Sequence, residues 1–239
     1  MIPFDNRRDI FSIDNSDEII HFCIEHFIKI ANEAILHHGN FYVALSGGST
    51  PNKIYAGLAK EVERVDWSKV WLFWSDERAV PPHDKESNYF MAMQAGLSQL
   101  PIPKSQIHRM VAEEAVTLNA EAYEKIIKEV VPDCSFDLMM LGMGEDGHTA
   151  SLFPHTKGLH VYDRLVIANF IPQKDVWRMT MTYTCINHAK NIVIYVIGKN
   201  KAEMLLKVLN SPFNPDLLPI QNVGTEKNKA LYITDIQVK

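Results

Sequence analysis

Short apolar runs that lack polar alternation constrain the fold of this chain most strongly. Such runs occupy residues 41–45, 70–74, 136–141, 191–197 and 230–234. Strands that face water on one side alternate apolar and polar residues, whereas strands covered on both faces do not. Because helical segments separate these runs, the pattern predicts a parallel sheet with helices on both faces, which is a three-layer α/β sandwich.

The segments between these runs predict the remaining elements. Apolar residues recur with helical spacing over 16–38, where Ser16 is the predicted N-cap and Gly39 the left-handed residue that ends the helix. We expect further helices beginning near Pro51 and over about 87–98, 116–130 and 200–209, and further strands at 164–168 and 178–183. No internal repeat or long linker interrupts the 239 residues, so the sequence predicts one domain over 1–239.

Charge and cysteine content exclude several classes of partner and site. The formal net charge of −5 disfavours nucleic acid as the main partner, although a local basic pocket for a small anion stays compatible with it. The N-terminus lacks the apolar core of a signal peptide, and no apolar run approaches the roughly 18 residues of a membrane span. Widely spaced Cys23, Cys134 and Cys185 are typical of reduced thiols in a cytoplasmic protein. We therefore expect no membrane contact, no metal and no redox cofactor.

Residues 142–154, here called the histidine loop, follow the predicted strand 136–141. Three glycines within six residues allow the backbone to turn tightly and to approach a ligand closely. The loop carries His148, with Asp146 two residues before it, to the carboxyl end of the strand. Ligands of open parallel sheets bind at that edge, which favours a catalytic pair over the alternative of an exposed histidine in a surface loop.

Residues 46–50, here called the glycine turn, join the strand 41–45 to the next helix. Free backbone N–H groups at a helix N-terminus, together with hydroxyl donors, make a site for phosphate or carboxylate. The alternative is a plain turn in which Ser49 or Thr50 caps the helix. The candidate binding residues are Ser46, Gly47, Gly48, Ser49 and Thr50.

Further charged residues are expected at the same edge of the sheet. The segment 75–78 follows the strand 70–74, and we interpret it as a turn in which Arg78 could bind a phosphate through two parallel hydrogen bonds. Asp76 or Glu77 could orient that arginine or accept from a sugar hydroxyl. Lys201 lies in the first turn of a predicted helix, where a cation is unfavourable unless an anion is near. Lys201 is therefore a candidate phosphate ligand, and the alternative is an ordinary exposed lysine. The same two interpretations apply to Arg178.

Taken in chain order, these segments resemble the 6-phosphogluconolactonases of the pentose phosphate pathway. The resemblance lies in residues 44–51, 75–78, 87–89, 142–154, 178–180 and 201–202. It implies a mostly parallel, modified Rossmann-like sheet. Related glucosamine-6-phosphate deaminases are similar around Glu145–His148 but differ after the histidine. The chain departs from the pattern at 172–177, where a proline-rich run is usual, and in the tail 224–239.

The resemblance implies hydrolysis of 6-phospho-D-glucono-1,5-lactone to 6-phospho-D-gluconate without a cofactor. His148 would be the general base that deprotonates the attacking water, because imidazole ordinarily has a pKa of about 6.5. Asp146 would hold the imidazole tautomer.

The glycine turn, Arg78 and Lys201 would bind the 6-phosphate, with Arg178 as a further candidate. Two other functions stay open. A glucosamine-6-phosphate deaminase or isomerase would use Asp76 as its base, and a sugar-phosphate-binding regulator would lack turnover.

Overall fold

The computed structural model describes residues 2–238. Along the chain, its strands and α-helices are β1 (Ile2–Pro3), β2 (Arg8–Ser12), α1 (Ser16–His38), β3 (Phe41–Leu45), α2 (Ser49–Leu58), β4 (Val70–Trp74), β5 (Asp76–Arg78), α3 (Asn88–Gln94), α4 (Val116–Val130), β6 (Leu138–Gly142), β7 (Val166–Ile171), β8 (Val176–Met181), α5 (Tyr183–Ile186), β9 (Ile192–Val196), α6 (Ala202–Asn210) and β10 (Ala230–Thr234).

The main sheet has seven strands among the described residues, in the order β1-β2-β10-β9-β6-β3-β4. All neighbouring pairs are parallel except β1 with β2. Every residue of β3, β9 and β10 is buried, so helices and loops cover both faces of the sheet centre. The predicted three-layer α/β sandwich with a mostly parallel sheet is therefore confirmed.

A second, antiparallel sheet contains β5, β8 and β7. The strands predicted at 164–168 and 178–183 are therefore present as β7 and β8, but they belong to this second sheet and not to the main one. The prediction of a turn at 75–78 is wrong, because Asp76–Arg78 form β5 and pair with β8. Ser75 connects the two sheets, since its N–H donates to the Leu45 carbonyl and its own carbonyl accepts from the N–H of Met181 (both 2.8 Å).

The ends of the helices correct two further predictions. The N-cap of α1 is Asn15 and not Ser16, because the Asn15 side chain accepts from the N–H groups of Asp17 and Glu18 at 3.0 and 3.2 Å. Gly39 has the predicted left-handed conformation, with φ +88°. The helix expected over 87–98 ends at Gln94, and residues 97–99 form a separate 3-10 turn after Gly96. Within residues 2–238, no helix has both the length and the apolar character needed to cross a membrane.

Four neighbouring strands of the main sheet, β4, β3, β6 and β9, bring the candidate segments to one edge. From β3 the chain crosses through α2 to β4 on one side, whereas β6 is followed in the sheet by β9 on the other side. Such a reversal leaves a crevice between the two central strands, outside their carboxyl ends. The histidine loop and the glycine turn both begin at this crevice.

Candidate active site

The histidine loop holds the imidazole of His148 by one nitrogen. Nδ1 lies 2.5 Å from Oδ1 of Asp146, and the same oxygen accepts from the backbone N–H of His148 at 3.1 Å. An ionised carboxylate can only accept, so Nδ1 carries the proton and Nε2 of the neutral ring is an acceptor. The structure records no protein partner for Nε2 among residues 2–238, which leaves this nitrogen available to a bound water.

The carboxylate of Asp146 is strongly biased towards its ionised form. Burial opposes ionisation, but the hydrogen bond and the charge of His148 outweigh it and lower the pKa of Asp146 to about 2. At neutral pH the aspartate is therefore a fixed negative charge beside the imidazole. That charge favours the imidazolium that forms when a general base takes a proton.

Glycine at position 144 is a steric requirement of this pair. A Cβ at Gly144 would lie 2.0 Å from Nδ1 of His148 and 2.8 Å from Oδ1 of Asp146. The N–H of Gly144 donates to the His148 carbonyl at 2.8 Å, and the N–H of Gly147 donates to the Gly144 carbonyl at 3.2 Å. These two N–H groups are therefore already used within the loop and are not free to bind substrate.

The glycine turn differs from its prediction in a way that favours a ligand. Helix α2 begins at Ser49 with Gly48 as its N-cap, so neither Ser49 nor Thr50 caps it. Within the described part of the chain, no side chain caps the N-terminus of this helix. Gly48 has φ +109°, which favours glycine. A Cβ at Gly47 would lie 1.9 Å from Oδ1 of Asn88, so the missing side chain makes room for that amide.

Arg78 and Arg178 lie opposite each other on β5 and β8. The Nε atoms of both guanidinium groups are buried and have no hydrogen-bond partner among the described residues. Burial and, after it, the nearby charge of Arg78 lower the pKa of Arg178. Two cations this close, each with an unsatisfied donor, form a site that a bound anion would stabilise.

The two carboxylates of β5 are engaged with protein groups. Oδ2 of Asp76 accepts from the hydroxyl of Ser151 at 2.6 Å, and Oδ1 lies 3.2 Å from Nδ2 of Asn88. The Glu77 carboxylate accepts four hydrogen bonds from residues 78 and 87–89 at the start of α3. Burial raises the pKa of Glu77, against the effect of these hydrogen bonds. Glu77 therefore anchors a helix N-terminus and does not orient the guanidinium of Arg78.

A cavity of about 270 Å³ unites most of the predicted residues. Of the predicted residues, the cavity is lined by Ser46, Gly47, Gly48, Asp76, Arg78, His148 and Lys201. The other predicted residues, Asp146, Ser49, Thr50 and Arg178, do not line it. The cavity is also lined by five residues that were not among the predicted site residues: Asn88, Gly142, Met143, Gly144 and Ala150. Asn88 could have been identified, since it lies within 87–89, one of the segments in which the chain resembles the family.

A larger depression of about 600 Å³ lies elsewhere, lined by Ala79, residues 113–118, Val176 and Trp177. Its lining contains no histidine, lysine or arginine, and two of its residues are glutamates. A phosphorylated ligand would meet negative charge there, so we place the candidate site in the smaller cavity. Among residues 2–238, no cluster of three or more His, Cys, Asp and Glu side chains could hold a metal ion.

Known proteins are similar to this chain in both sequence and fold. The chain is 40% identical to a 6-phosphogluconolactonase of Chlamydia trachomatis, over 98% of this chain and 90% of that protein. It is 36% identical to one of Haemophilus influenzae, over 77% of this chain and 81% of that protein. The solved structure of a 6-phosphogluconolactonase from Thermotoga maritima is 26% identical and matches with a TM-score of 0.83, over 95% of this chain and 100% of that one. Residues 14–233 match the family described as glucosamine-6-phosphate isomerases/6-phosphogluconolactonase, and the chain belongs to this family, as its motifs predict.

Proposed function

We propose that the chain hydrolyses 6-phospho-D-glucono-1,5-lactone to 6-phospho-D-gluconate, the second step of the oxidative pentose phosphate pathway. The relatives named 6-phosphogluconolactonase support this substrate. The main structural support for this reaction is the His148–Asp146 pair, whose histidine lines the cavity. Asp146 binds Nδ1 of the imidazole, and Nε2 has no hydrogen-bond partner among the described residues. Ester hydrolysis consumes only water, so the reaction requires no redox cofactor.

In this mechanism, Nε2 of His148 takes a proton from a water as its oxygen attacks the lactone carbonyl. The negative charge of Asp146 stabilises the imidazolium and keeps the proton of Nδ1 in place. When the tetrahedral intermediate collapses, the bond between the carbonyl carbon and the ring oxygen breaks. The imidazolium returns its proton to that oxygen, which becomes a hydroxyl. The carbonyl carbon is then part of a carboxylic acid, which releases its remaining proton to solvent and becomes the carboxylate of the product. A positioned base of this kind contributes about 10²–10⁴-fold to the rate.

The 6-phosphate would be bound by the N–H groups of the glycine turn together with Arg78 and Lys201. The first turn of α2 has no side-chain cap, and its positive end attracts an anion. Arg178 adds a second guanidinium behind Arg78 and strengthens the local positive charge. Binding the remote phosphate places the lactone carbon beside the water, which uses binding energy to orient the reacting atoms.

The deaminase alternative would need the Asp76 carboxylate as a proton-shuttling base. Because the Ser151 hydroxyl and the Asn88 amide both bind that carboxylate, its capacity to take a proton from a substrate carbon is reduced. A regulator without turnover would not require the His148–Asp146 pair. The geometry therefore favours the lactonase over both alternatives.

The test is the hydrolysis rate of freshly prepared 6-phosphoglucono-1,5-lactone, corrected for its spontaneous hydrolysis, for the wild type and His148→Ala. We expect rapid wild-type turnover that the substitution removes. A wild type that does not accelerate hydrolysis would falsify the proposal, and ammonia release from glucosamine 6-phosphate would then support the deaminase.

We further propose that the enzyme acts in the cytoplasm. Cys23, Cys134 and Cys185 are all free thiols in the structure, as reducing conditions would keep them. Fractionation of cells that express the chain, followed by the lactonase assay on each fraction, tests this location. Activity confined to an extracellular or membrane fraction would contradict it.

A further inference from the structure

The tip of the β7–β8 hairpin, residues 172–175, contacts the histidine loop. Pro172 starts a 3-10 turn, and Asp175, with φ +51°, ends it in the left-handed conformation. The side-chain amide of Gln173 donates to the carbonyl of Pro154 at 2.9 Å. The tip is therefore attached to the end of the loop that carries His148. It lies within 172–177, the segment in which this chain departs from the pattern of the family.

Lys174 on this tip completes a stack of three side chains. The rings of His148 and Phe153 are nearly parallel, with centroids 3.9 Å apart and planes inclined by 17°. The ammonium of Lys174 lies over the Phe153 ring, 5.2 Å from its centroid. Because the imidazole fills one face of the phenyl ring at contact distance, the ammonium must occupy the opposite face. The order is therefore Lys174, Phe153, His148.

The stack supplies a restraint that Asp146 cannot provide. One hydrogen bond at Nδ1 fixes an edge of the imidazole but lets the ring tilt about that bond, which would move Nε2. The phenyl face holds the plane of the ring, and Phe153 is itself only 4% exposed. A cation over its outer face is attracted by the negative charge of the π system, which holds the phenyl ring against the imidazole.

We propose that Phe153 and Lys174 are positioning residues for His148, with the phenyl ring fixing the imidazole plane and the lysine holding the phenyl ring. This inference rests on the proposed role of His148 as the general base. It assigns the hairpin tip a part in catalysis without contact with the substrate. Lys157 is a matched comparison, since it is also an exposed lysine but has no recorded contact with Phe153.

The kinetic test compares kcat and KM for single and double variants. We expect Phe153→Leu to lower kcat on the order of tenfold with KM unchanged, because the base is displaced while the phosphate site is intact. Lys174→Gln should lower kcat about threefold, Lys174→Arg should restore it, and Lys157→Gln should have no effect. If the lysine acts through the phenyl ring, Lys174→Gln should have no further effect in the Phe153→Leu background.

A second measurement does not depend on turnover. A proton above an aromatic face is shielded, so in a proton–carbon NMR spectrum the Cε1–H resonance of His148 should lie upfield of those of histidines that do not stack on an aromatic ring. The resonance of His108, which lies between Trp71 and Phe73, should be shielded as well. The loss of the His148 resonance in His148→Asn assigns it. We expect Phe153→Leu to move the His148 resonance downfield, with the other histidine signals unchanged as evidence that the variant is folded.

The possible outcomes separate the inference from the proposed function. If the wild type hydrolyses the lactone and His148→Ala does not, but Phe153→Leu and Lys174→Gln retain wild-type kcat, the positioning role is overturned and the proposed function stands. A wild type without turnover overturns both. An unshielded His148 resonance in the wild type overturns the stack itself, whatever the kinetics.

Discussion

A histidine–aspartate pair lies at each edge of the parallel sheet, and the two pairs have different surroundings. At the carboxyl edge, Asp146 binds only His148 among the described residues and its side chain is 47% exposed. At the amino edge, Nε2 of His38 lies 2.9 Å from Oδ1 of Asp137, whose side chain is 3% exposed. The residue types are the same, but the side chain of Asp146 binds one residue, whereas that of Asp137 binds several.

The Asp137 carboxylate is saturated by structural donors. Besides His38, it accepts from the ammonium of Lys190 at 2.8 Å and from the backbone N–H of Tyr42 at 2.9 Å. These bonds join helix α1 to the beginnings of β3 and β6 and to the segment before β9. The amino-edge pair is therefore a structural link between these elements.

The helix ends at the two edges favour anion binding at the carboxyl edge. His38 is the last residue of α1, at the negative end of the helix dipole, which favours a cation. The cavity at His148 instead receives the positive N-terminus of α2, together with Arg78 and Lys201. A histidine–aspartate pair thus implies no function by itself. In the function proposed here, the helix dipole and the nearby side-chain charges are what suit the carboxyl edge to a phosphorylated substrate.

The largest difference between the two pairs should appear on removing each histidine. We expect His148→Ala to lower kcat by about 10²–10⁴-fold with KM nearly unchanged, because the base is lost and the phosphate site remains. His38→Ala should retain wild-type kcat. Steady-state kinetics on the phosphorylated lactone measure both, and equal losses in the two variants would remove the distinction between the edges.

Removing one cation from each edge should give the next largest effect. Arg78→Ala should lower kcat/KM for the phosphorylated lactone by roughly 10- to 150-fold, the factor for a charge-assisted hydrogen bond of about 1.5–3 kcal/mol. The same variant should hydrolyse unphosphorylated glucono-1,5-lactone as well as the wild type, and Lys190→Ala should be normal on both substrates. If Arg78→Ala kept the full preference for the phosphorylated lactone, Arg78 would not bind phosphate.

Substituting the two aspartates should affect stability at one edge and activity at the other. Asp137→Asn weakens the structural link at the amino edge, so we expect it to lower the free energy of unfolding by about 1–3 kcal/mol while kcat is retained. Asp146→Asn should lower kcat with a smaller effect on stability. Urea unfolding and kinetics on the same samples make the comparison, and a catalytic loss in folded Asp137→Asn would contradict it.

The smallest expected effect is a pH dependence of stability at the carboxyl edge. Folding lowers the pKa of Asp146 from 3.8 to about 2. A carboxylate with a lowered pKa stabilises the folded state above its unfolded pKa, and this contribution is lost as the pH falls through the folded value. The difference in unfolding free energy between the wild type and Asp146→Asn should therefore be larger just above pH 3.8 than near pH 2, and it should shrink as the pH falls between these values. A difference that did not change over this range would show that the carboxylate is not ionised preferentially in the folded state.

Strands β3, β4 and β10 could be predicted because their signal is local. The runs 41–45, 70–74 and 230–234 coincide with β3, β4 and β10, since they are apolar except for Thr234 and buried except for the half-buried Trp71. Strand β2 was missed because it mixes charged and apolar residues and is only partly buried. Strand β5 was interpreted as a turn because three consecutive charged residues are typical of turns, and its pairing with β8 about a hundred residues later leaves no local sign.

By itself, the sequence determined the order of the apolar runs, the glycines beside them and the position of His148 next to Asp146. All of these depend on neighbours within a few residues, where backbone geometry leaves few alternatives. Only the tertiary structure decided that Asn88 fills the space left by Gly47, that Ser151 binds Asp76, and that a lysine stacks on Phe153. These contacts join segments that are distant in the chain, and no local pattern encodes which of them meet when the sheet is assembled.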